Sequence, residues 1–196
     1  MESNNAGQPD SRGPTTILRD EHKIILRVIA VLERLVDRSQ RGLGFEWASL
    51  GSCVDFFRLF ADACHHAKEE THLFPVLESR GIPRDGGPIG VMLYEHQLAR
   101  ELTRAMGDAL GEVERDGDAA KERFHEAARQ YIQLLSNHIM KEDNILFNIG
   151  DQVMQDDDRA SLCARFCEVG CRAFEGRKVE QLEAIATELE AQWMDP

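Results

Sequence analysis

The sequence is short of aromatic residues, of positive charge and of long apolar runs, and each shortage removes a class of function. Phe, Trp and Tyr make up 7% of the 196 residues, too few for a surface that stacks nucleobases. Basic residues number 23 against 35 acidic ones, a formal net charge of −12. A phosphate backbone would be repelled by most of such a surface, so nucleic acid is not an expected partner. No stretch approaches the ~20 apolar residues that cross a bilayer. Ile24 to Leu32 is interrupted by Arg27, and a membrane is not an expected partner either. The five cysteines are odd in number and lack framework spacing, and no apolar secretory segment opens the chain. Free thiols in a reducing cytoplasm are therefore expected.

Strand-like alternation is missing too; what the chain has is helical periodicity. Its length suits one domain of roughly 150 residues with a small appendage. Residues 1–14, rich in Asn, Ser, Gly and Pro, read as a disordered leader. Helices are predicted over Thr15–Ser39, Glu46–Ser79 with a bend at Pro75, Ile89–Arg115, and Ala119–Met154. Shorter ones follow at Asp157–Phe174 and Lys178–Trp193. Four long amphipathic helices on short connections describe an all-α protein. The expected fold is an antiparallel up-down four-helix bundle over 15–154, with two additional C-terminal helices in 155–196 packed on it.

Several polar residues interrupt the apolar stripes. On the fourth helix Phe124, Ala128, Tyr131, Leu135, His138, Glu142, Ile145 and Ile149 share a face. His96 stands with Met92 and Ala99 on the third helix, and His22 between Leu18 and Ile25 on the first. On the second helix two registers compete, one through His65 and Glu69, the other through His66 and Glu70. Glu142 precedes Leu146-Phe147 by the same offsets as Glu69 precedes Leu73-Phe74. That match favours His65 and Glu69 inward, with His66 and Glu70 flanking. His125, among Lys121, Glu122 and Arg129, reads as solvated, and His72 stays open.

An unpaired carboxylate in an apolar interior is costly. Two glutamates converging with four histidines, and no inward Lys or Arg, call for a cation. The expected ligands are His22, His65, Glu69, His96, His138 and Glu142. Six imidazole and carboxylate groups exceed the needs of one tetrahedral zinc. They suit a pair of iron ions better than manganese, because imidazole outnumbers carboxylate.

The string Asp20-Glu21-His22, then His65-His66-Ala67-Lys68-Glu69-Glu70 with Leu73-Phe74-Pro75, then Gly86-Gly87-Pro88, Glu95-His96 and His138-Ile139-Met140-Lys141-Glu142-Asp143 with Leu146-Phe147, resembles the hemerythrin-like (HHE cation-binding) family. The resemblance covers about Thr15 to Phe147. It implies a non-haem di-iron centre in a four-helix bundle, oxo- or hydroxo-bridged when oxidised, with Glu69 and Glu142 as bridging carboxylates. Oxygen carriers of the family have five histidines, two of them on the third helix. Here the positions four before and after His96 are Met92 and Arg100. His72, Glu21, Glu95 or water are the candidates for the missing ligand. The carriers' aspartate, five residues after the last histidine, corresponds to Asp143, but Glu142 lies on the stripe and is preferred. The shorter set looks more like that of iron-responsive and enzymatic relatives.

The expected function is binding of O2, NO or peroxide at the iron pair, for sensing, iron handling or storage. The alternative is a di-iron oxidase or peroxide-decomposing enzyme, and a third reading is a regulatory module that signals iron occupancy to a protein partner. A ferritin-like site would use Glu69-Glu70-Thr71-His72 and Glu122-Arg123-Phe124-His125. It is rejected because the second string puts its histidine on a polar face. Cys163, Cys167 and Cys171, four residues apart, read as packing residues on a helix face, as do Cys53 and Cys64. Tyr131 reads as bundle packing rather than as the wall of a ligand pocket.

Overall fold

The computed structural model describes residues 13–194, apart from the side chains of 113–116. The described residues are helical, with a single isolated bridge, Phe174 to Arg177, in place of any sheet. None of their helices is long and apolar enough to cross a membrane. Helix α1 (Pro14–Gln40) starts with proline in its first turn, where the missing N–H costs nothing. Gly42 and Gly44, both at positive φ, turn the chain after it. The second rod is continuous but not uniformly α-helical. It consists of α2 (Trp47–Phe56), a wide π-helical stretch π1 (Phe57–His66), a second one π2 (Glu69–Leu73), and α3 (Phe74–Ser79). Pro75 was expected to bend an α-helix; it lies in the first turn of α3, directly after π2 has changed the register.

Helix α4 (Pro88–Lys141) is broken at Gly117, whose φ of 41° and ψ of −111° are non-helical. Its arms, 88–116 and 118–141, fold back on each other, and Arg123 Nη2 meets Glu112 Oε2 at 2.6 Å. A third π stretch, π3 (Glu142–Leu146), leads into α5 (Phe147–Val153), α6 (Asp156–Gly170) and α7 (Val179–Trp193). Gln155 and Asp158 cap the start of α6 reciprocally. This helix stops at Gly170, short of the expected Phe174.

Two apolar cores lie in different stretches of the same helices. One gathers Leu18, Leu73, Phe74, Met92, Leu146, Phe147, Leu162 and Phe166. The other gathers Ile25, Leu32, Phe57, Ala61, Ala99, Leu135 and Ile139 with Leu182, Ala186 and Leu189 of α7. Each long segment passes from one core to the other, and its buried histidines and glutamates fall between: His22 after Leu18, His65, His66 and Glu69 after Ala61, His96 after Met92, Glu142 before Leu146. A polar layer is thus clamped between two apolar ones.

The π stretches correct the expected stripes. A π turn closes i→i+5 instead of i→i+4 and takes up roughly one more residue. Beyond Glu142 the inward face therefore falls on Leu146 and Phe147, both buried, while Ile145 is 53% exposed and Ile149 36%. Leu146→Ala should lower the unfolding free energy by about 2–5 kcal/mol, and Ile145→Ala by less than about 0.5 kcal/mol, in urea titrations. Equal losses would place the uniform α-helical stripe back in force.

Other expectations fail at single residues. On α6 it is Leu162, Phe166 and Val169 that point inward, so Cys167 and Cys171 are exposed and Cys163 half-buried. Cys53 and Cys64 are buried, and burial pushes their thiols up to about 12 and about 11. His125 is buried, not solvated. The end of α1 and the segment after it cover it, with Ser39 Oγ 3.0 Å from its Nε2 and the Phe45 ring alongside.

Candidate metal centre

The polar layer is built from a motif that the chain uses twice. Glu21-His22 on α1 faces His65, Lys68, Glu69 and Glu70 of the second rod. Glu95-His96 on the first arm of α4 faces His138 and Lys141 of the second arm, which leads into Glu142 and Asp143 of π3. The hydrogen bonds repeat in the same way. His65 Nδ1 lies 2.9 Å from Glu21 Oε2, and Lys68 Nζ donates to the same carboxylate. His138 Nδ1 lies 2.9 Å from Glu95 Oε2, and Lys141 Nζ donates to that one. Crossing over, His22 Nδ1 lies 2.8 Å from Asp143 Oδ1, and His96 Nδ1 2.7 Å from Glu70 Oε1. Both lysines are spent on these outer carboxylates.

His66 joins them as a fifth buried imidazole. It was read as flanking; the structure turns it inward beside His65 because π1 runs to this point and spreads its residues over a wider turn. Its ring stacks on that of His96, centroids 3.8 Å apart, and its Nδ1 lies 3.3 Å from Asp62 Oδ1. Arg100 secures this edge, with Nε 2.7 Å from Asp62 Oδ1 and Nη2 2.7 Å from Glu70 Oε1.

Every one of these five rings therefore has its Nδ1 against a carboxylate, which can only accept. The Nδ1–H groups donate outward and the Nε2 lone pairs are left for the interior. That is the arrangement in which outer carboxylates fix the tautomer and orientation of metal-binding histidines.

The inner atoms converge. Glu142 Oε2 lies 3.2 Å from both His22 Nε2 and His138 Nε2. Glu69 spans the layer, Oε1 3.6 Å from His65 Nε2 and Oε2 3.4 Å from His96 Nε2. His96 Nε2 and His138 Nε2 are 3.0 Å apart. Two groups of potential ligand atoms result, each within 4.8 Å: His66, Glu69, His96 and His138, and His22, His65, Glu69 and Glu142. Ligands at bonds of about 2.1 Å around one ion sit roughly 3.0–3.4 Å from one another, close to the 3.2 Å of His22–Glu142, the 3.0 Å of His96–His138 and the 3.4 Å of His96–Glu69.

Protein groups do not satisfy this interior. Both oxygens of Glu69, both of Glu142 and Nε2 of His22 are buried without a hydrogen-bond partner. Burial and then the charge of Glu142 push the Glu69 carboxyl well above its usual range. Burial opposes ionisation of Glu142 as well, but His138 and His22 outweigh it and hold that carboxyl well below. Burial would lower His138, yet Glu142 and Glu95 push it up to about 9. Burial takes His65 down to about 4.

All six residues expected as ligands meet here, joined by His66. Glu21 and Glu95, considered as substitutes for the missing ligand, stand behind His65 and His138 instead. Asp143 lies behind His22, and Glu142 occupies the inner position. His72 faces α6, its ring 6.4 Å from that of Phe166, and takes no part. The outer carboxylates were not identified in the sequence. The signal was the recurrence of Glu-His at 21–22 and 95–96 with His-x-x-Lys-Glu-acid at 65–70 and 138–143. A cleft of about 410 Å³ between the second rod and α4 reaches His66, lined also by Phe57, Asp62, Arg100, Thr103 and Tyr131. Tyr131 is thus both core residue and cleft wall.

A family model described as the hemerythrin HHE cation binding domain matches residues 13–149. Among curated proteins, the chain is 25% identical over 142 residues to the uncharacterized protein Rv1995 of Mycobacterium tuberculosis (strain ATCC 25618 / H37Rv). The same values hold for the uncharacterized protein Mb2018 of Mycobacterium bovis (strain ATCC BAA-935 / AF2122/97). Each match takes in 71% of this chain and 55% of the relative, so the chain spans about half the length of those proteins. No solved structure matches.

Proposed function

Since the chain belongs to the hemerythrin HHE cation-binding family and the buried layer suits a metal, we propose that it holds two iron ions and binds O2, NO or peroxide beside them. The observation that carries this reading is the set of five imidazoles, each tied outward to its own carboxylate, around glutamate oxygens that no protein group satisfies. Mixed imidazole and carboxylate donors suit iron. In this reading the four ligand-bearing segments form an antiparallel up-down four-helix bundle, with α6 and α7 added at its C-terminal end.

His66, His96 and His138 would hold one ion and His22 and His65 the other, with Glu69 and Glu142 shared. His66 then stands in for the histidine that oxygen carriers place on the third helix. Its counterpart in the repeated motif is Ile139, buried and apolar. The His22–His65 side consequently has one nitrogen fewer, and would leave room there for a small ligand. When bound, ferrous iron would supply the electrons and the free coordination position. The protein supplies orientation through the outer carboxylates and exclusion of water through the two flanking cores. Sensing, iron handling or storage in a reducing cytoplasm are the uses this fits.

The cleft at His66 favours a second reading, a di-iron oxidase or peroxide-decomposing enzyme, because it offers a substrate a way towards the centre. Anaerobic loading with ferrous iron should yield about two irons per chain, and oxygen should then give a stable, reversible spectral change. Continuous consumption of oxygen or peroxide would support the enzyme instead. Failure to retain iron would overturn both.

A further inference from the structure

The outward face of α6 carries chemistry that the buried centre does not use. Cys163, Cys167 and Cys171 recur every four residues, and the last two are exposed. The turn that joins them is closed, with Cys171 N–H donating to Cys167 O at 2.9 Å, so both project from one helical face. Residues four apart lie one turn above the other on that face, and Cys171 raises the Cys167 thiol, through hydrogen bonding first and like charge second.

Geometry decides what such a pair can do. Side chains four apart on a helix have Cβ atoms about 5–6 Å apart. A disulfide needs about 3.5–4.5 Å, so closing one would open the turn and break its backbone bond. One bridging atom with bonds of about 2.3 Å to each sulfur spans two thiols on successive turns of one face without moving the helix. Sulfur donors select soft ions over oxygen-seeking ones. The C-terminal end of α6, with its outward-pointing carbonyls, favours a positive centre there. A bridging cation also removes the repulsion between the two thiolates.

We propose that Cys167 and Cys171 form a surface site for a single thiophilic ion or metalloid, such as trivalent arsenic, held between two sulfurs. With an organoarsenic oxide the step balances. Two S–H bonds and the As=O bond are lost, two As–S bonds form, water leaves, and arsenic keeps its oxidation state. The site does not depend on the iron centre.

The test uses phenylarsine oxide on the full chain, folded, with and without iron. One arsenic should bind per chain, peptide mapping should show Cys167 and Cys171 protected from alkylation, and an added small dithiol should reverse both. Cys167→Ser and Cys171→Ser should each weaken binding at least about 100-fold by removing the chelate, while Cys163→Ser should leave it unchanged. Circular dichroism on each variant establishes that these surface changes leave the helices formed. Undiminished binding by Cys171→Ser, or its loss in Cys163→Ser, would overturn the assignment, as would protection of Cys53 or Cys64 instead.

Discussion

Glu69→Leu is expected to cut bound iron from about two per chain to less than about half an ion and, at the same time, to make the metal-free protein more stable. Glu69 belongs to both groups of ligand atoms, so its loss removes a donor from each ion. Its oxygens are buried without partners, and its carboxyl is driven towards the protonated form by burial and by Glu142. Exchanging such a group for an apolar side chain of similar size relieves desolvation, by roughly 1–3 kcal/mol on the scale of comparable buried-charge replacements. For a chain of this length that is a rise of several degrees in the unfolding midpoint, at about 2–4 °C per kcal/mol. Calorimetry on the stripped variant and metal analysis on the reconstituted one are the two readouts. A variant that loses iron and also unfolds earlier would show the glutamate to be a structural hydrogen-bonding residue, against the present reading. Glu70→Ala is the neighbouring control. It removes the partner of His96 Nδ1 and should weaken iron binding about 10–100-fold without stabilising the protein.

His66→Ala should lose iron to the same extent as His65→Ala, each falling to about one ion per chain. The offset match between the second and fourth helices makes His66 matter less than His65. The structure puts the two on a par, because both rings are buried, both have Nδ1 on a carboxylate, and each contributes to a different group. His125→Ala, which cuts contacts with Ser39, Phe45, Glu122 and Phe124 and none with the centre, should keep both ions. Retention of two ions by His66→Ala would remove the fifth imidazole from the centre and return the missing ligand to water.

How far the chemistry was legible before the fold is clearest on the first and third ligand-bearing segments. There a single histidine sits on an otherwise apolar α-helical face. Three- and four-residue spacing found His22 and His96 because the local helix obeys the period assumed for it. On the second rod, and after Glu142, the same rule failed. π1, π2 and π3 widen the turn at the ligands, so adjacent residues share a face and the stripe beyond moves by about one position. Residue types do not announce a π turn. What accompanies it are contacts across the interior: Glu21 with His65 of π1, His96 and Arg100 with Glu70 of π2, and His22 with Asp143 of π3. The same holds for Cys167 and Cys171, whose exposure follows from which side of α6 the Leu162–Phe166 face presses into the core.

By itself, then, the order of residues determined a helical protein with buried acidic and imidazole groups, since those follow from local period and from the cost of hiding charge. Which nitrogen faces inward, which carboxylate stands behind it, and that His66 belongs among the inner residues were decided only in the folded chain. Those are relations between atoms on different helices, up to 121 residues apart in the case of His22 and Asp143, and no local rule of spacing carries them.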